Sequence, residues 1–147
     1  MKQMVDAYQN IGGNVISVLE VPRHAVSSYG VIAPGEARGA ITEVLGLVEK
    51  PKVEDAPSNL IVSGRYILQP EVMHILEGQE KGAGGEIQLT DAMAQMLGKQ
   101  PFHAVTFDGN RYDCGSKVGY IEANLAVALQ RADMADEVRA IAVNLLK

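Results

Sequence analysis

Glu49 and Lys50 put a carboxylate and an ammonium on adjacent residues at the end of an apolar run, immediately before Pro51. Far downstream, Arg111-Tyr112-Asp113-Cys114-Gly115-Ser116-Lys117 adds a second acid with its own lysine. A carboxylate accepts hydrogen bonds from hydroxyls, and an ammonium carries the charge that meets phosphoryl oxygens. A further carboxylate can hold a hard divalent cation such as magnesium against those oxygens. These are the groups that a site for a phosphorylated sugar needs.

Each residue also has a plainer account. Glu–Lys neighbours are common on ordinary surfaces, and successive side chains of an extended strand point to opposite faces. Glu49 and Lys50 can serve one ligand only if the strand end opens, which Pro51 favours by ending regular pairing. Asp113 lies between a strand and a helix start, where open α/β sheets gather ligand groups and free helix amides favour anions. Two roles stay open for it: a magnesium ligand, or, with Ser116, a cap on the following helix. Gly30 and Gly64 interrupt β-like runs, either to let a sugar ring approach the backbone or to form a bulge or turn.

Other residues carry weaker signals. The run Gly82-Ala83-Gly84-Gly85 reads as a mobile loop, since it lacks G-x-x-x-x-G-K-[ST] and a G-x-G-x-x-G pattern fails at Ile87; Thr90 and Asp91 are expected on the helix face that supports the site. His24, His74 and His103 have no metal-ligand spacing. Cys114 is the sole cysteine, so no internal disulfide can form, and no histidine lies near it to make it a nucleophile.

The elements that must position these residues follow from periodicity. Residues 2–11 read as a helix stopped by Gly12-Gly13, and 14–21 as a strand ended by Pro22. Residues 29–33 read as a strand turning at Pro34-Gly35, with 40–49 as its return. Residues 59–68 form another strand, and Pro70 opens a helix. Residues 86–98 read as a helix, 102–107 as a strand, and 116–132 and 135–146 as two C-terminal helices. Strands and helices interleave, so the class is α/β or α+β.

The chain has 147 residues, 47% hydrophobic, which suits one domain over 1–147 with a real core. The net charge of −5 argues against a nucleic-acid partner. No apolar run approaches the roughly 20 residues of a membrane span. The first residues lack a signal-peptide core. A cytoplasmic location is expected.

Six segments appear in an order that resembles bacterial UTP–glucose-1-phosphate uridylyltransferases. They are Tyr29-Gly30-Val31, Val48-Glu49-Lys50-Pro51, Ala56-Pro57-Ser58-Asn59-Leu60, Gly64-Arg65-Tyr66, the stretch from Gly85-Glu86-Ile87 to Thr90-Asp91-Ala92, and the stretch from Asp113-Cys114-Gly115 to Gly119-Tyr120. The resemblance implies a partial Rossmann-like nucleotidyltransferase fold, with a mixed sheet, a β-hairpin insertion and C-terminal helices. It implies that Glu49 binds glucose hydroxyls and that Lys50 contacts phosphates as the catalytic residue. It further implies that Gly30, Ser63 and Gly64 border the sugar, and that Asp113 binds Mg2+. The family joins UTP and glucose 1-phosphate into UDP-glucose and pyrophosphate.

The family's glycine-rich nucleotide loop, with its arginine and lysine, and its other metal-binding aspartate have no counterpart here. The resemblance therefore covers the C-terminal, sugar-binding half. The expected partners are UDP-glucose or glucose 1-phosphate, with UTP only if an N-terminal half is supplied, and a second copy of the chain in a homo-oligomer. The expectation is a half-site inactive alone. The alternative is a non-catalytic UDP-sugar-binding or oligomerisation module.

Overall fold

The computed structural model describes residues 1–82 and 85–147, and the chain divides into two compact units, Met1–Phe107 and Asp108–Lys147. Ala83 and Gly84, from the glycine-rich run, lie outside the described residues.

The first unit is a mixed five-stranded sheet with three helices. Its elements are α1 (Lys2–Ile11), β1 (Asn14–Glu20), a 3-10 helix (Arg23–Ser28), β2 (Gly30–Arg38), β3 (Ile41–Glu49), β4 (Leu60–Ile67), α2 (Glu71–Gly78), α3 (Leu89–Met96) and β5 (Phe102–Thr106). β1 pairs parallel with β5 and antiparallel with β4. β2 and β3 form a long hairpin that curls, so that Val31 meets Ile61 of β4 at one end and Ile41–Glu43 meet β5 at the other. The strands thus close into a ring in the order β1-β4-β2-β3-β5.

β1 reads as a continuous apolar run because both of its faces are covered. Val15 packs with Met4 and Ala7 of α1 and with Val105. Ile16 and Val18, pointing the other way, join Ile32, Leu47, Val62, Met93 and Phe102 in the main core. Each such buried aliphatic side chain contributes about 1.5–3 kcal/mol relative to exposure. α3 packs on β3 through Ala92, Met93 and Met96, all buried. A third cluster of Val26, Val31, Ala56 and Ile61 fastens the 3-10 helix and the loop after β3 to the sheet. Arg23 reinforces that fastening by donating to the carbonyls of Ala56 and Ser58 at 2.7 and 3.1 Å.

Three local expectations need correction. Pro34-Gly35 is not a turn: β2 continues to Arg38, and the hairpin reverses at Gly39-Ala40. The pairing shifts register at Pro34, where Ala33 faces Gly46 and Pro34 faces Val44. A proline cannot donate to the ladder, so a bulge accommodates it within the strand. The third helix begins at Leu89 and ends at Met96, shorter than the 86–98 read from periodicity. The residues 23–28 had no assignment, and they form the 3-10 helix after Pro22.

The second unit is a helical hairpin, α4 (Lys117–Gln130) and α5 (Ala135–Leu145), preceded by the Asp108–Ser116 segment. Ser116 caps α4: its Oγ accepts from Gly119 N at 3.0 Å. Asp136 and Glu137 sit in the first turn of α5, where their charge suits the helix dipole. Among the described residues, no helix is long and apolar enough to cross a membrane.

Candidate functional site

The end of β3 gathers most of the chemistry of the first unit. Glu49 is the last residue of β3 and faces Gly30, the first residue of β2, across the hairpin. Lys50 follows with φ 45°, the one described non-glycine residue at positive φ. Its N–H donates to the Tyr29 carbonyl at 3.0 Å, and Pro51 behind it is buried. This left-handed turn breaks the alternation of strand side chains. Lys50 Nζ accordingly comes within 3.9 Å of Glu49 Oε1. The side chain of Glu49 is 12% exposed and that of Lys50 52%. A mostly buried carboxylate therefore sits beside an ammonium that remains open to solvent.

Gly30 forms the floor. A Cβ placed there would lie 3.0 Å from Glu49 Oε2, 3.2 Å from Thr90 Oγ1 and 3.3 Å from Thr90 Cγ2. The missing side chain is what allows the carboxylate and the threonine to close over the backbone. Tyr66 stands near the same carboxylate. Its phenol is held above the usual 10.0, first by burial and then by the negative charge of Glu49. At neutral pH that phenol is protonated and available as a donor.

Ser63 and Gly64 lie at a bulge in β4. The pairing shifts register between Ile16, which faces Tyr66, and Val18, which faces Val62. Gly64 has φ 77°, and the space where its Cβ would stand is open. The Ser63 hydroxyl is turned toward β1: it shares a hydrogen bond with Ser17 Oγ and donates to the Ser17 carbonyl at 3.2 Å. At this bulge, exposed Gly64 leaves its backbone accessible to a ligand.

In the second unit, Ser116 is the cap, while the Asp113 carboxylate, exposed, accepts from Gly115 N at 3.0 Å through Oδ1. Oδ2 is left over. Among the described residues, no three His, Cys, Asp or Glu side chains gather as a metal cluster. One free carboxylate oxygen suits magnesium, which keeps several waters and binds through one or two carboxylates plus substrate phosphates. Asp113 thus fits a magnesium ion held mainly by phosphate and water.

Thr90 was expected, with Asp91, on the helix face that supports the site, and it stands at Gly30; Tyr66 was not singled out from the residues as a site member. Thr90 is 60 positions from Gly30, and the run from Gly85-Glu86-Ile87 to Thr90-Asp91-Ala92 pointed to it. Two surface cavities, ≈ 460 and ≈ 270 Å3, share Glu43 and His103 and are lined by none of Gly30, Glu49, Lys50, Tyr66 or Thr90.

Comparison with known proteins identifies the family. The nucleotidyl transferase family model matches residues 1–130. The chain is 46% identical over 140 residues to a UTP–glucose-1-phosphate uridylyltransferase of Staphylococcus epidermidis, covering 95% of this chain and 49% of that protein. It is 53% identical over 116 residues to one of Komagataeibacter xylinus, covering 79% of this chain and 41% of the relative. A crystal structure of a UDP-glucose pyrophosphorylase complexed with UDP-glucose superposes with TM-score 0.83 at 44% identity, over 88% of this chain and 49% of that one. The chain belongs to the nucleotidyl transferase family and spans about half the length of the curated uridylyltransferases it matches.

Proposed function

We propose that this chain carries the hexose-phosphate side of a uridylyltransferase site. The observation that carries the reading is the end of β3, where Lys50 at positive φ brings its ammonium beside the Glu49 carboxylate over Gly30. Glu49 would accept hydrogen bonds from glucose hydroxyls, and Lys50 would contact the phosphate. The Gly30 backbone and the Ser63–Gly64 bulge would border the sugar.

The reaction of the whole enzyme would join UTP and glucose 1-phosphate. A phosphate oxygen of glucose 1-phosphate forms a bond to the α-phosphorus of UTP, the bond to the β-phosphate oxygen breaks, and pyrophosphate leaves. Asp113, in the second unit, would hold magnesium, which when bound would supply charge neutralisation for phosphates. The protein's own part is positioning and charge compensation. Alignment of two substrates can supply about 7–11 kcal/mol of a barrier. If the groups that hold UTP lie outside these residues, the half-site by itself would bind but not turn over.

Two measurements test this reading. Calorimetric titration with UDP-glucose should give binding that Lys50→Ala weakens at least about tenfold, the loss of one charge-assisted contact of 1.5–3 kcal/mol. A pyrophosphate-release assay on the chain alone should stay at background. Turnover at rates of 1 per second or above, ordinary for enzymes at about 1–1,000 per second, would overturn the half-site reading.

A second role, self-association, has its own support. Val118, Ile121, Leu125 and Leu129 recur along one side of α4 and are all exposed, with Val118 at 79%. An apolar stripe of that spacing is the pattern of a helix that packs on another helix. Sedimentation equilibrium should find a dimer that Leu125→Glu converts to monomer. A monomeric wild-type chain at all concentrations would rule this role out.

A further inference from the structure

Glu49 and Lys50 face each other in a specific way. Oε2 of Glu49 is the oxygen turned toward Gly30 and Thr90, and Oε1 is the oxygen 3.9 Å from Lys50 Nζ. Oε2 lies over Gly30, so close that a Cβ there would crowd it. Oε1 is the acceptor that an incoming hydroxyl would have to share with the ammonium of the neighbouring residue, 3.9 Å away.

We propose that this pair is a lock that makes the site accept a hexose and a phosphate only together. The inference rests on the hexose-phosphate reading given above and adds to it a rule of selection. Glu49 is 12% exposed, so moving Lys50 away leaves a mostly buried carboxylate without its counter-charge, which is unfavourable. A neutral sugar brings hydroxyl donors for Glu49 but no anion to draw Lys50 off. Inorganic phosphate draws Lys50 off but strands Glu49. A phosphorylated hexose does both at once: its hydroxyls replace the ammonium at Oε1 while its phosphate takes the ammonium. Neither charged group is then left without a partner.

The backbone supports the exchange. Lys50 is pinned at its N–H by Tyr29 and at its C-terminal side by buried Pro51, so the left-handed turn stays fixed. Only the side chain, 52% exposed, has to swing. The device is a rotation of one lysine, with no movement of a loop or domain.

The lock predicts positive coupling between the two parts of the ligand. The test is a chemical-shift titration of the isotope-labelled chain with glucose, with inorganic phosphate, with both, and with glucose 1-phosphate. In the wild-type chain, saturating phosphate should tighten glucose binding about tenfold, inside the usual range of coupling between sites. Lys50→Gly keeps the positive φ and removes the ammonium. It should bind glucose alone about as well as the wild-type chain does with phosphate present, and phosphate should no longer matter. Lys50→Met carries the same expectation and separates the loss of charge from glycine's backbone freedom.

Binding of glucose 1-phosphate with no effect of phosphate on glucose would overturn the lock and leave the hexose-phosphate site standing. The lock is equally overturned if both Lys50 variants bind glucose no better than the wild-type chain does without phosphate. No response at Gly30, Glu49 or Thr90 to any of the four additions would remove the site and the lock together.

Discussion

Gly30 lies directly beneath the Glu49 carboxylate, so close that a methyl group on residue 30 would stand 3.0 Å from Glu49 Oε2 and 3.2 Å from Thr90 Oγ1. Gly30 is not at positive φ, so its backbone would tolerate alanine. The added methyl would therefore act on its neighbours and not on the strand. Glu49 and Thr90 would have to give by a few tenths of an ångström, and a carboxylate pushed off its rotamer costs about 0.5–1.5 kcal/mol. Gly30→Ala should weaken UDP-glucose binding several-fold by calorimetry while moving the melting temperature by no more than about 4 °C. Unchanged binding would mean that the Glu49 carboxylate is not used at this position.

Lys50 makes an opposite test, in which stability and binding part company. A non-glycine residue held in the left-handed region costs about 1–3 kcal/mol, and persists where surrounding structure enforces it. Here the Tyr29 carbonyl and buried Pro51 do so. Glycine removes the strain but adds entropy to the unfolded chain, worth about 0.5–1 kcal/mol. Lys50→Gly should therefore come out more stable than Lys50→Ala, in which the ammonium is equally absent from beside Glu49, by about 1 kcal/mol, a difference of about 2–4 °C in melting temperature. Lys50→Ala keeps the strain. Denaturation of the two variants side by side checks the order.

Much of this arrangement could be read from residue order, and the unreadable part has physical causes. β1 announced itself through valine and isoleucine, because a strand covered on both faces needs apolar residues throughout; β3 and β4 showed apolar runs although only Val44 and Leu47 of the one and Ile61 and Val62 of the other are buried. Glu49 and Lys50 stood out as a pair, yet alternation in a strand placed them on opposite faces. What reunites them is a positive φ at a lysine before a proline, a conformation that local preference argues against. Only the tertiary frame of Tyr29 and Pro51 enforces it. Pro34-Gly35 misled for the same reason in reverse: a strong turn signal was absorbed as a bulge by a hairpin long enough to continue past it. Thr90 reaches Gly30 by folding of α3 onto β3, and no local pattern encodes a contact across 60 residues.

Tyr66 offers a pH test of the same site. Its folded-state phenol titrates above 10.0, because burial and the Glu49 charge both disfavour the phenolate. The folded chain then binds this proton more tightly than the unfolded chain does. The stabilisation is fully present below the unfolded value near 10 and is lost as pH rises through the folded value. Glu49→Gln removes the smaller of the two causes. The phenolate absorbance of Tyr66, isolated by difference from Tyr66→Phe, should appear at lower pH in Glu49→Gln than in wild type, yet still above 10 because burial remains. The loss of stability on the alkaline side should begin correspondingly earlier. Identical titration curves would show that Glu49 and Tyr66 do not sense each other.

Asn14 ties the first residue of β1 to two distant connections, and its removal should be the most damaging of these changes to the fold. It is fully buried, with 0% exposure. Its Oδ1 accepts from Gln69 N at 2.8 Å, and its Nδ2 donates to Gln100 Oε1 at 2.9 Å and to the Pro101 carbonyl at 3.3 Å. One amide thus joins the end of β4 and the start of β5 to the strand between them. Asn14→Ala strips all three bonds and leaves the Gln69 N–H without its partner. A net loss of about 1 kcal/mol for each of the three bonds, with about 1–3 kcal/mol for the unsatisfied buried group, places the cost at about 4–6 kcal/mol. The melting temperature should fall by about 8–24 °C. Asn14→Asp separates the two halves of the amide. It keeps the acceptor for Gln69 but points a carboxylate oxygen at two carbonyl oxygens, so near neutral pH it should be no more stable than alanine, and it should recover as acid protonates the carboxyl. A drop of less than about 2 °C for Asn14→Ala would mean that water takes over the amide's bonds and that the two connections hold to β1 by backbone pairing alone.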